Sequence, residues 1–343
     1  MSSEAPHVTS SIPLTTQVGG HAGVQTSEDG SLLIKPALPL ELQFYQITTS
    51  NTAFEPLRLF LPKFYGTLKL EGKVEESTST GTGGVIISPV QQGGESKESL
   101  VLENLSHPFS KPNIIDIKLG TVLYDESASP DKVERMLKTA RETTSLETGV
   151  RLTGFQVYDN TTGKAVNTPK SYGKSIKPAD LPDGIARFFP VASSTSTSAS
   201  QPSETETADS TAPGSSGLPR QTLLPMLRYI REDVAELKDA LAQIELRMVG
   251  GSVLIVYEAD WERAVEGLKA IEEGVDEEDG DDDDDDESDT AKKPSPPYVV
   301  KLIDFAHTRL VPGQGPDEGI LLGLKTVLRL IDGRIEQLDA LSE

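Results

Sequence analysis

The sequence lacks several of the features by which proteins are most readily classified. It contains no cysteine, which excludes disulfides, cysteine-ligated zinc sites and a cysteine nucleophile, and which is compatible with a reducing compartment. No apolar run approaches the roughly 18 residues that a membrane-spanning helix requires, so we expect no membrane association. The first residues, MSSEAPHVTSSIPLTTQ, include neither a basic region nor a continuous apolar stretch, so we expect no secretory signal.

Positive charge is scarce relative to negative charge. The 343 residues include 32 Lys and Arg against 54 Asp and Glu, for a formal net charge of −22. Residues 272–289 alone contribute 14 acids and no base, so the rest of the chain is only mildly acidic. A protein that binds duplex nucleic acid needs a basic surface for the phosphates, and we therefore expect no direct nucleic-acid partner. A local basic pocket for a small anion is compatible with this composition.

Composition divides the chain into ordered blocks and polar segments. A chain of this length forms one large domain or two ordinary ones. Residues 1–28 and 190–219 are rich in Ser and Thr, and residues 272–297 hold the acidic run. Segments of this kind bury too little apolar surface to fold, so we predict a disordered N-terminus and two low-complexity insertions. The Gly-rich stretch 81–97 is predicted to be a hairpin loop.

Hydrophobic periodicity predicts strands first and helices later, which is typical of an α+β fold with two lobes. Strands are predicted over 31–35, 62–70, 99–105, 113–120, 152–159, 251–258 and 298–306, the last two as a pair of buried strands. Helices are predicted over 41–48, 131–147, 221–248 and 319–341.

Asp116 and Lys118 stand two residues apart in the segment KPNIIDIKLG (111–120). In a strand, side chains two apart project to the same face, so this acid and this base can share one reaction centre. The alternative is a cross-strand salt bridge on an exposed face of the sheet. The segment by itself leaves both interpretations open.

A second carboxylate, Asp304, ends an apolar run in YVVKLIDFAHT. A carboxylate in apolar surroundings must find a counter-charge or a metal ion. An Asp-Phe pair at this place is similar to the Asp-Phe-Gly element that binds magnesium in protein kinases. The alternative is an Asp that caps a helix or forms a turn.

Lys35 lies at the end of a predicted strand, and Glu41 follows at the start of a predicted helix. A strand lysine paired with a helix glutamate is how protein kinases position an ammonium group on ATP phosphates. Further along, SLVLENLSHPF turns from a strand into a polar segment, as a link between two lobes does. Backbone groups near Glu103 and Leu105 could there hydrogen-bond an adenine edge.

Taken together, these segments resemble the inositol polyphosphate kinase family. Residues 112–120, PNIIDIKLG, meet the family signature P-x-x-x-D-x-K-x-G. Further similar segments follow in the family's order: ELQFY (41–45), LPKFYG (61–66), LTGFQVYD (152–159), YGKSI (172–176), GIARFF (184–189), GGSVLIVYE (250–258), IDFAHT (303–308) and DEGILLGLK (317–325).

The resemblance implies a two-lobed, kinase-like α+β fold related to ATP-grasp enzymes, with disordered insertions. Residues 29–105 would form a small ATP-binding lobe. Residues 106–343 would form a large lobe with the catalytic and inositol-phosphate sites. Lys35 would hold the α- and β-phosphates of ATP with Glu41 as its partner, and Glu103 and Leu105 would bind adenine through backbone atoms.

The resemblance also implies roles for the central residues. Asp116 would face both the ribose and the attacking inositol hydroxyl. Lys118 would contact the substrate and the transferred phosphate, and Asp304 would ligate Mg²⁺.

Cations on one predicted helix are expected to bind the inositol phosphate. Lys132, Arg135 and Lys138 fall on one arc of the helix 131–147, while a separate arc is apolar: Val133, Met136, Leu137 and Ala140. The resemblance places inositol-phosphate contacts on this helix, although the family often has Gln where this chain has Arg135 or Met136. The alternative is a solvated surface of mixed charge.

Two further residues are expected on the substrate side of the site. Lys174 lies in YGKSI, and His307 lies three residues after Asp304. For His307, the alternative is a histidine buried in the core.

The resemblance indicates the multikinase branch of the family, because the N-terminal region is short and no long regulatory arm is present. We expect ATP- and Mg²⁺-dependent phosphorylation of inositol trisphosphate, and then of the tetrakisphosphate, to the pentakisphosphate. Two alternatives stay open. One is a kinase that converts inositol hexakisphosphate to a pyrophosphate, and the other is a nuclear scaffold or transcription-regulatory protein with secondary kinase activity.

Location and partners are expected from the resemblance and the composition. The resemblance implies the nucleus and the cytoplasm, and inositol polyphosphates as the small-molecule partners. We expect a monomer. The acidic insertion either contacts basic protein partners or serves as a solvated spacer.

Overall fold

The computed structural model describes residues 11–13, 23–69, 73–75, 86–88, 98–192, 217–274 and 295–341. Most of the segments predicted to be disordered or inserted, 1–28, 190–219 and 272–297, lies outside these residues, and so does most of the predicted loop 81–97. The described residues form helices and two five-stranded sheets. The predicted α+β class is therefore confirmed, while the predicted lobe boundaries stay a prediction.

The described strands are β1 Ser11–Pro13, β2 Gln25–Ser27, β3 Leu32–Pro36, β4 Phe64–Lys69, β5 Lys73–Glu75, β6 Ile86–Ser88, β7 Glu98–Glu103, β8 Pro112–Leu119, β9 Val150–Asp159, β10 Lys164–Thr168, β11 Leu246–Met248, β12 Ser252–Glu258, β13 Tyr298–Ile303 and β14 Thr308–Leu310. The described α-helices are α1 Pro39–Ser50, α2 Glu55–Arg58, α3 Pro130–Glu142, α4 Ser145–Thr148, α5 Lys170–Ser175, α6 Leu181–Phe188, α7 Arg220–Leu241, α8 Trp261–Glu272 and α9 Glu318–Asp339. Within the ranges that the structure describes, none of these helices is long and apolar enough to cross a membrane.

The first sheet has the antiparallel strand order β1-β2-β3-β7-β4. Lys35 of β3 lies opposite Leu100 of β7. Helix α1 packs on this sheet through aromatic rings, since Tyr45 stacks on Phe64 of β4 with ring centroids 5.3 Å apart. Buried aromatic pairs of this kind contribute large apolar contact areas. They hold the start of α1 beside the end of β3.

The second sheet has the antiparallel strand order β10-β9-β8-β12-β13. Its central strand β8 reads as a nearly continuous apolar run, as expected of a strand covered on both faces, and Ile115 and Ile117 are at most 1% exposed. Asp116 interrupts this run and lies opposite Leu254 of β12. The strand pair predicted over 251–258 and 298–306 is present as β12 and β13.

The long helices α7 and α9 pack against each other. The predicted apolar stripe of α7 is buried: Leu223, Leu227, Ile230, Val234, Leu237 and Leu241. Each such aliphatic side chain contributes about 1.5–3 kcal/mol when it leaves water. Helix α9 begins after Asp317, whose Oδ1 accepts hydrogen bonds from the N–H groups of Gly319 and Ile320, as an N-cap residue does.

Two helices end earlier in the structure than the sequence predicts. The helix predicted over 221–248 ends at Leu241, and Leu246–Met248 instead forms β11, which pairs with β14. The helix predicted over 131–147 ends at Glu142. Beyond it, the hydroxyl of Thr143 donates to the Thr139 carbonyl (2.8 Å) and that of Thr144 to the Val150 carbonyl (2.6 Å). Such local side-chain bonds compete with helix continuation.

Short strands were also missed. The prediction of disorder through residue 28 is wrong for Gln25–Ser27, which is β2 and pairs with β3. Ile86–Ser88 lies in the predicted loop 81–97 but forms β6, paired with β5. The strand predicted through 306 ends at Ile303. Three-residue strands are too short to show a periodicity.

Two connections hold the sheets together. The linker, residues 104–111, runs from β7 to β8. The second connection, which we call the strap, joins residues 59–60 to residues 301–302. In it, the Leu302 N–H donates to the Phe60 carbonyl and Lys301 Nζ donates to the Leu59 carbonyl, both at 2.7 Å. The linker and the strap are therefore two of the connections between the sheets, in addition to contacts of α1 with β14 and of α2 with α7.

Candidate active site

A buried ion cluster joins the two sheets. Lys35 is 7% exposed, and its Nζ donates to Glu41 Oε1 at 2.9 Å and to Asp304 Oδ1 at 2.8 Å. Pro39 opens α1 and thereby places Glu41 in the first turn. Burial lowers the pKa of Lys35, but the carboxylates of Asp304 and Glu41 outweigh burial and leave this pKa above its ordinary value. Lys35 is therefore held as a cation.

The backbone at Asp304 has an uncommon conformation that directs its side chain into the cluster. Asp304 follows β13, and its φ of 67° is positive, unlike that of any other described residue except glycines. The next N–H, of Phe305, donates to Glu41 Oε1 at 3.2 Å, and the Phe305 ring stacks on Phe44 of α1 with centroids 4.2 Å apart. Asp304 caps none of the described helices. It directly precedes the turn in which the Thr308 N–H donates to the Phe305 carbonyl, and its carboxylate binds Lys35.

Asp116 and Lys118 lie on the same face of β8, beside this cluster. Lys118 Nζ donates to the Gly250 carbonyl at 2.7 Å and lies 3.8 Å from Asp304 Oδ2. Asp116 is 3% exposed, and its Oδ1 is buried without a hydrogen-bond partner among the described residues. The alternative of a cross-strand salt bridge on an exposed face is therefore wrong. A buried carboxylate oxygen without a partner is costly, as expected of an atom that binds a ligand.

Asp116, Lys118 and Asp304 line a cavity of about 260 Å³ together with further cations. Its lining is Asp116, Lys118, Arg151, Leu152, Thr153, Lys170, Lys174 and Asp304. The structure thus brings Asp116, Lys118, Lys174 and Asp304 together. Four cations face two carboxylates, so the cavity carries an excess of positive charge.

Arg151 and Lys170 were missed by the sequence analysis. Arg151 of β9 lies directly opposite Lys118 of β8. Burial lowers the pKa of Arg151, and the nearby carboxylate of Asp116 opposes this effect. Lys170 opens α5, which packs so closely on β9 that a Cβ on Gly173 would lie 1.6 Å from the Leu152 carbonyl oxygen. For Arg151, the available signal was the pairing of β9 with β8. For Lys170, it was the glycine at 173 in the short helix α5.

The cations predicted on α3 separate in the structure. Lys132 Nζ lies 3.5 Å from Asp125 Oδ2, and His307 Nδ1 lies 2.9 Å from the same oxygen. His307 is exposed, so the alternative of a buried core histidine is wrong. A hydrogen bond from the Ser127 hydroxyl lowers the pKa of Asp125, which keeps this carboxylate charged beside Lys132.

The other part of the predicted α3 arc faces elsewhere. Arg135 and Lys138 line a separate cavity of about 640 Å³ and do not reach the one that holds Asp116. Leu137, expected on the packed face, is 37% exposed and lines that same cavity. Only Ala140 of this helix is fully buried. The amphipathic arc therefore assigns side chains to one face without specifying what that face contacts.

The linker presents backbone groups beside a third cavity. Glu103 and Leu105 line a cavity of about 680 Å³ together with residues of β13, α7 and α8. The Glu103 N–H already donates to the Lys63 carbonyl at 3.0 Å, and Glu103 lies opposite Leu32 in the pairing of β7 with β3. The Leu105 N–H has no partner among the hydrogen bonds of the described residues. The Leu105 N–H is thus available for the predicted adenine contact, although Glu103 and Leu105 do not line the cavity that holds Asp116.

The oxygen atoms at the centre of the site suit a divalent cation. Asp304 and Asp116 offer carboxylate oxygens, which are the ligands that Mg²⁺ and Mn²⁺ prefer. The described residues contain no group of three or more metal-ligating side chains. A site of one or two carboxylates is nevertheless the usual form where substrate phosphates complete the coordination.

Comparison with known proteins identifies relatives of this chain. Residues 99–210 and 214–332 match the family described as inositol polyphosphate kinase. The sequence is 31% identical to inositol polyphosphate multikinase of Saccharomyces cerevisiae, over 92% of this chain and 96% of that protein. It is 26% identical to inositol hexakisphosphate kinase 1 of Mus musculus, over 68% of this chain and 51% of that protein.

A solved structure shares the fold. The crystal structure of inositol phosphate multikinase from S. cerevisiae in complex with ADP and Mn²⁺ superposes with a TM-score of 0.61 and 27% sequence identity. The similarity covers 89% of this chain and 100% of that one. The predicted kinase-like fold is therefore confirmed.

Proposed function

Because the chain belongs to the inositol polyphosphate kinase family and is a kinase, we propose that it is a multikinase that uses ATP to phosphorylate inositol trisphosphate and tetrakisphosphate to the pentakisphosphate. The observation that carries this proposal is the convergence of Lys35, Asp116, Lys118 and Asp304 at one site. Phosphoryl transfer requires mainly positioning and charge neutralisation from the protein. A cluster of lysines and carboxylates beside a cationic cavity supplies both.

The nucleotide is proposed to bind between the sheets. Lys35, held by Glu41, contacts the α- and β-phosphates. The Glu103 carbonyl and the Leu105 N–H bind the adenine edge, and Asp116 contacts the ribose. These roles fit a lysine that is already fixed in direction and a linker in which the Leu105 N–H has no partner among the described residues.

Asp116 is proposed to act on the acceptor hydroxyl. Its unpartnered Oδ1 orients this hydroxyl and accepts its proton, as the hydroxyl oxygen bonds to the γ-phosphorus and the bond from that phosphorus to ADP breaks. Lys118 contacts the transferred phosphoryl group, because it lines the cavity and its Nζ lies 3.8 Å from Asp304 Oδ2. Both side chains are held by β8, so neither needs to move far.

A divalent cation, which we propose to be Mg²⁺, would be held by Asp304. When bound, such an ion neutralises charge on the β- and γ-phosphates and lowers the barrier to transfer. Asp304 stands beside both Lys35 and Lys118, where two anionic substrates must approach each other. The chain's own cations thus surround the carboxylate that would carry the metal.

The inositol phosphate is proposed to bind in the cationic cavity. Lys118, Arg151, Lys170 and Lys174 would bind its phosphates. Lys132 and His307 lie beside Asp125 and do not line this cavity, so they are proposed only as secondary contacts. Arginine binds phosphate oxygens in a bidentate manner, which suits the fixed position of Arg151 on β9. Arg135 and Lys138 of α3 line another cavity, so we assign them no direct phosphate contact.

The test is a reaction of the full chain with ATP, Mg²⁺ and a panel of inositol phosphates, followed by anion-exchange separation of the products. We expect consumption of trisphosphate and accumulation of pentakisphosphate. The matched variant Asp116→Asn, which keeps the size of the side chain, should accumulate neither tetrakisphosphate nor pentakisphosphate. Turnover of hexakisphosphate alone would overturn the proposal in favour of the pyrophosphate-forming reaction.

A further inference from the structure

One buried carboxylate binds the second half of the linker. Glu258, the last residue of β12, is 2% exposed. Its Oε2 accepts a hydrogen bond from the Ser110 N–H at 2.7 Å, and its Oε1 accepts one from the Lys111 N–H at 2.9 Å. Hydrogen bonds from N–H groups to a carboxylate are stronger than those between neutral groups. The path of the linker just before β8 is therefore set by a side chain from a different strand.

Glu258 is itself held in place. Its Oε1 also accepts from the Asp260 N–H at 2.9 Å. Arg263 Nε lies 3.4 Å from Oε2, an ion pair without hydrogen-bond geometry. The same Arg263 donates from Nη2 to the Pro108 carbonyl at 2.9 Å. These contacts compensate for a negative charge removed from water, and they bind the linker from Pro108 to Lys111 to the turn between β12 and α8.

The part of the linker that Glu258 and Arg263 bind, residues 108–111, lies between the two places where the nucleotide is proposed to bind. Leu105, with its available N–H, precedes it, and Asp116 follows it on β8. We propose that Glu258 is a positioning residue that fixes the linker, so that the backbone at Leu105 and the carboxylate of Asp116 meet one nucleotide at the same time. This inference rests on the proposed function, because it takes ATP to bind along the linker.

Glu258 lies outside the cavity that holds Asp116, and its effect would pass through the backbone. A shift of the linker by a fraction of an ångström would weaken nucleotide binding while the groups that perform the transfer keep their own contacts. Small displacements of a bound substrate have large effects on enzymes. The effect should therefore appear in nucleotide affinity, where a merely structural role would instead reduce the number of folded molecules.

The test compares Glu258→Gln with the matched control Glu262→Gln, an exposed glutamate in the first turn of α8. We expect the KM for ATP and the Kd for ADP of Glu258→Gln to rise about tenfold, with kcat and the KM for inositol trisphosphate within about twofold of the wild type. The control should change none of these. Activities are expressed per folded molecule, with melting curves to count the folded fraction. A folded Glu258→Gln protein with an unchanged Kd for ADP would overturn the inference.

A second measurement needs no variant. Hydrogen exchange on the wild-type protein should show the amides of Ser110 and Lys111 protected both with and without ADP. Free-peptide exchange rates at both amides would overturn the inference, whether or not the variant folds. Calorimetry with ADP separates this inference from the proposed function. A wild-type protein that binds ADP but phosphorylates no inositol phosphate contradicts the proposed function alone.

Discussion

The two ends of the site differ in how their charged side chains are paired. At the nucleotide end, where we propose that ATP binds, Lys35 is paired with Glu41 and Asp304, and all three residues are at most 9% exposed. At the inositol end, where we propose that the inositol phosphate binds, the cavity has four cations for two carboxylates. Two of these cations, Lys170 and Lys174, are exposed and have no ion pair within the described ranges.

This difference shows which end of the site must have its charges paired for the protein to fold. An unpaired buried charge is strongly destabilising, so the ion cluster must be complete when the protein folds. Exposed cations cost little while they are hydrated, and they can therefore stay without partners until phosphates arrive. Substitutions at the nucleotide end should affect stability and catalysis together, whereas substitutions at the inositol end should affect substrate binding first.

The strongest test of this contrast is Asp304→Asn. Asparagine tolerates a positive φ, so the backbone can be kept while the charge is lost. We expect kcat to fall by a factor of about 10³ or more, because a group that neutralises transition-state charge is removed. We also expect the free energy of unfolding to fall by about 1–3 kcal/mol, since Lys35 keeps only Glu41 as a partner. Steady-state kinetics and urea denaturation measure the two effects, and a kcat within tenfold of the wild type would contradict the role of Asp304.

At the inositol end, Arg151→Met tests whether the cationic cavity binds the sugar phosphate. We expect the KM for inositol trisphosphate to rise about tenfold while the KM for ATP stays the same. Added salt should raise this KM less in the variant than in the wild type, because one phosphate contact is already missing.

The matched control for Arg151→Met is Lys138→Met, which removes a cation that lines the separate cavity beside α3. Its KM for inositol trisphosphate should stay within about twofold of the wild type. Equal increases in the two variants would show that α3 contributes to the binding site as much as β9 does.

Asp233 of α7 adds to the contrast, because it is a half-buried carboxyl group outside the lysine cluster. Burial raises its pKa from 3.8 to about 6, against a hydrogen bond from Tyr298. The folded state therefore binds this proton more tightly than the unfolded state. The resulting stabilisation is complete below about pH 4 and is lost as the pH rises through 6.

Asp233→Asn should consequently raise the free energy of unfolding at pH 7 by on the order of 1–3 kcal/mol, with almost no change at pH 4. Urea denaturation at both pH values measures the difference. The exposed neighbour Glu232→Gln is the control. An equal effect of Asp233→Asn at the two pH values would show that the carboxyl group does not titrate as described.

The sequence predicted those parts of the fold that are long and periodic. The strand with Asp116 and Lys118, the apolar stripe of α7 and the helix that begins after Asp317 are examples, because each repeats one hydrophobic period over several residues. The ends of elements were less predictable. Ile244 and Leu246 suit a helix or a strand equally, and only the pairing of β11 with β14 distinguishes the two.

For the site, the residue types were predictable and their surroundings were not. A carboxylate inside an apolar run, such as Asp304, must find a partner, but its distance to Lys35 depends on how the sheets meet. Arg151 could be recognised only from its register with Lys118. The arc of α3 could not show that Arg135 faces another cavity, since periodicity describes one helix and carries no information about its neighbours.

The strap has a consequence for rigidity. The linker, the strap, the contact of α1 with β14 and the contact of α2 with α7 are separate connections between the two sheets and the helices beside them. The hydrogen bonds from the Phe305 N–H to Glu41 and from Lys35 to Asp304 lie at yet another place. A rotation of the first sheet against the second must therefore break several contacts together, and a ligand that competes for Lys35 or Asp304 would lower the cost of that rotation.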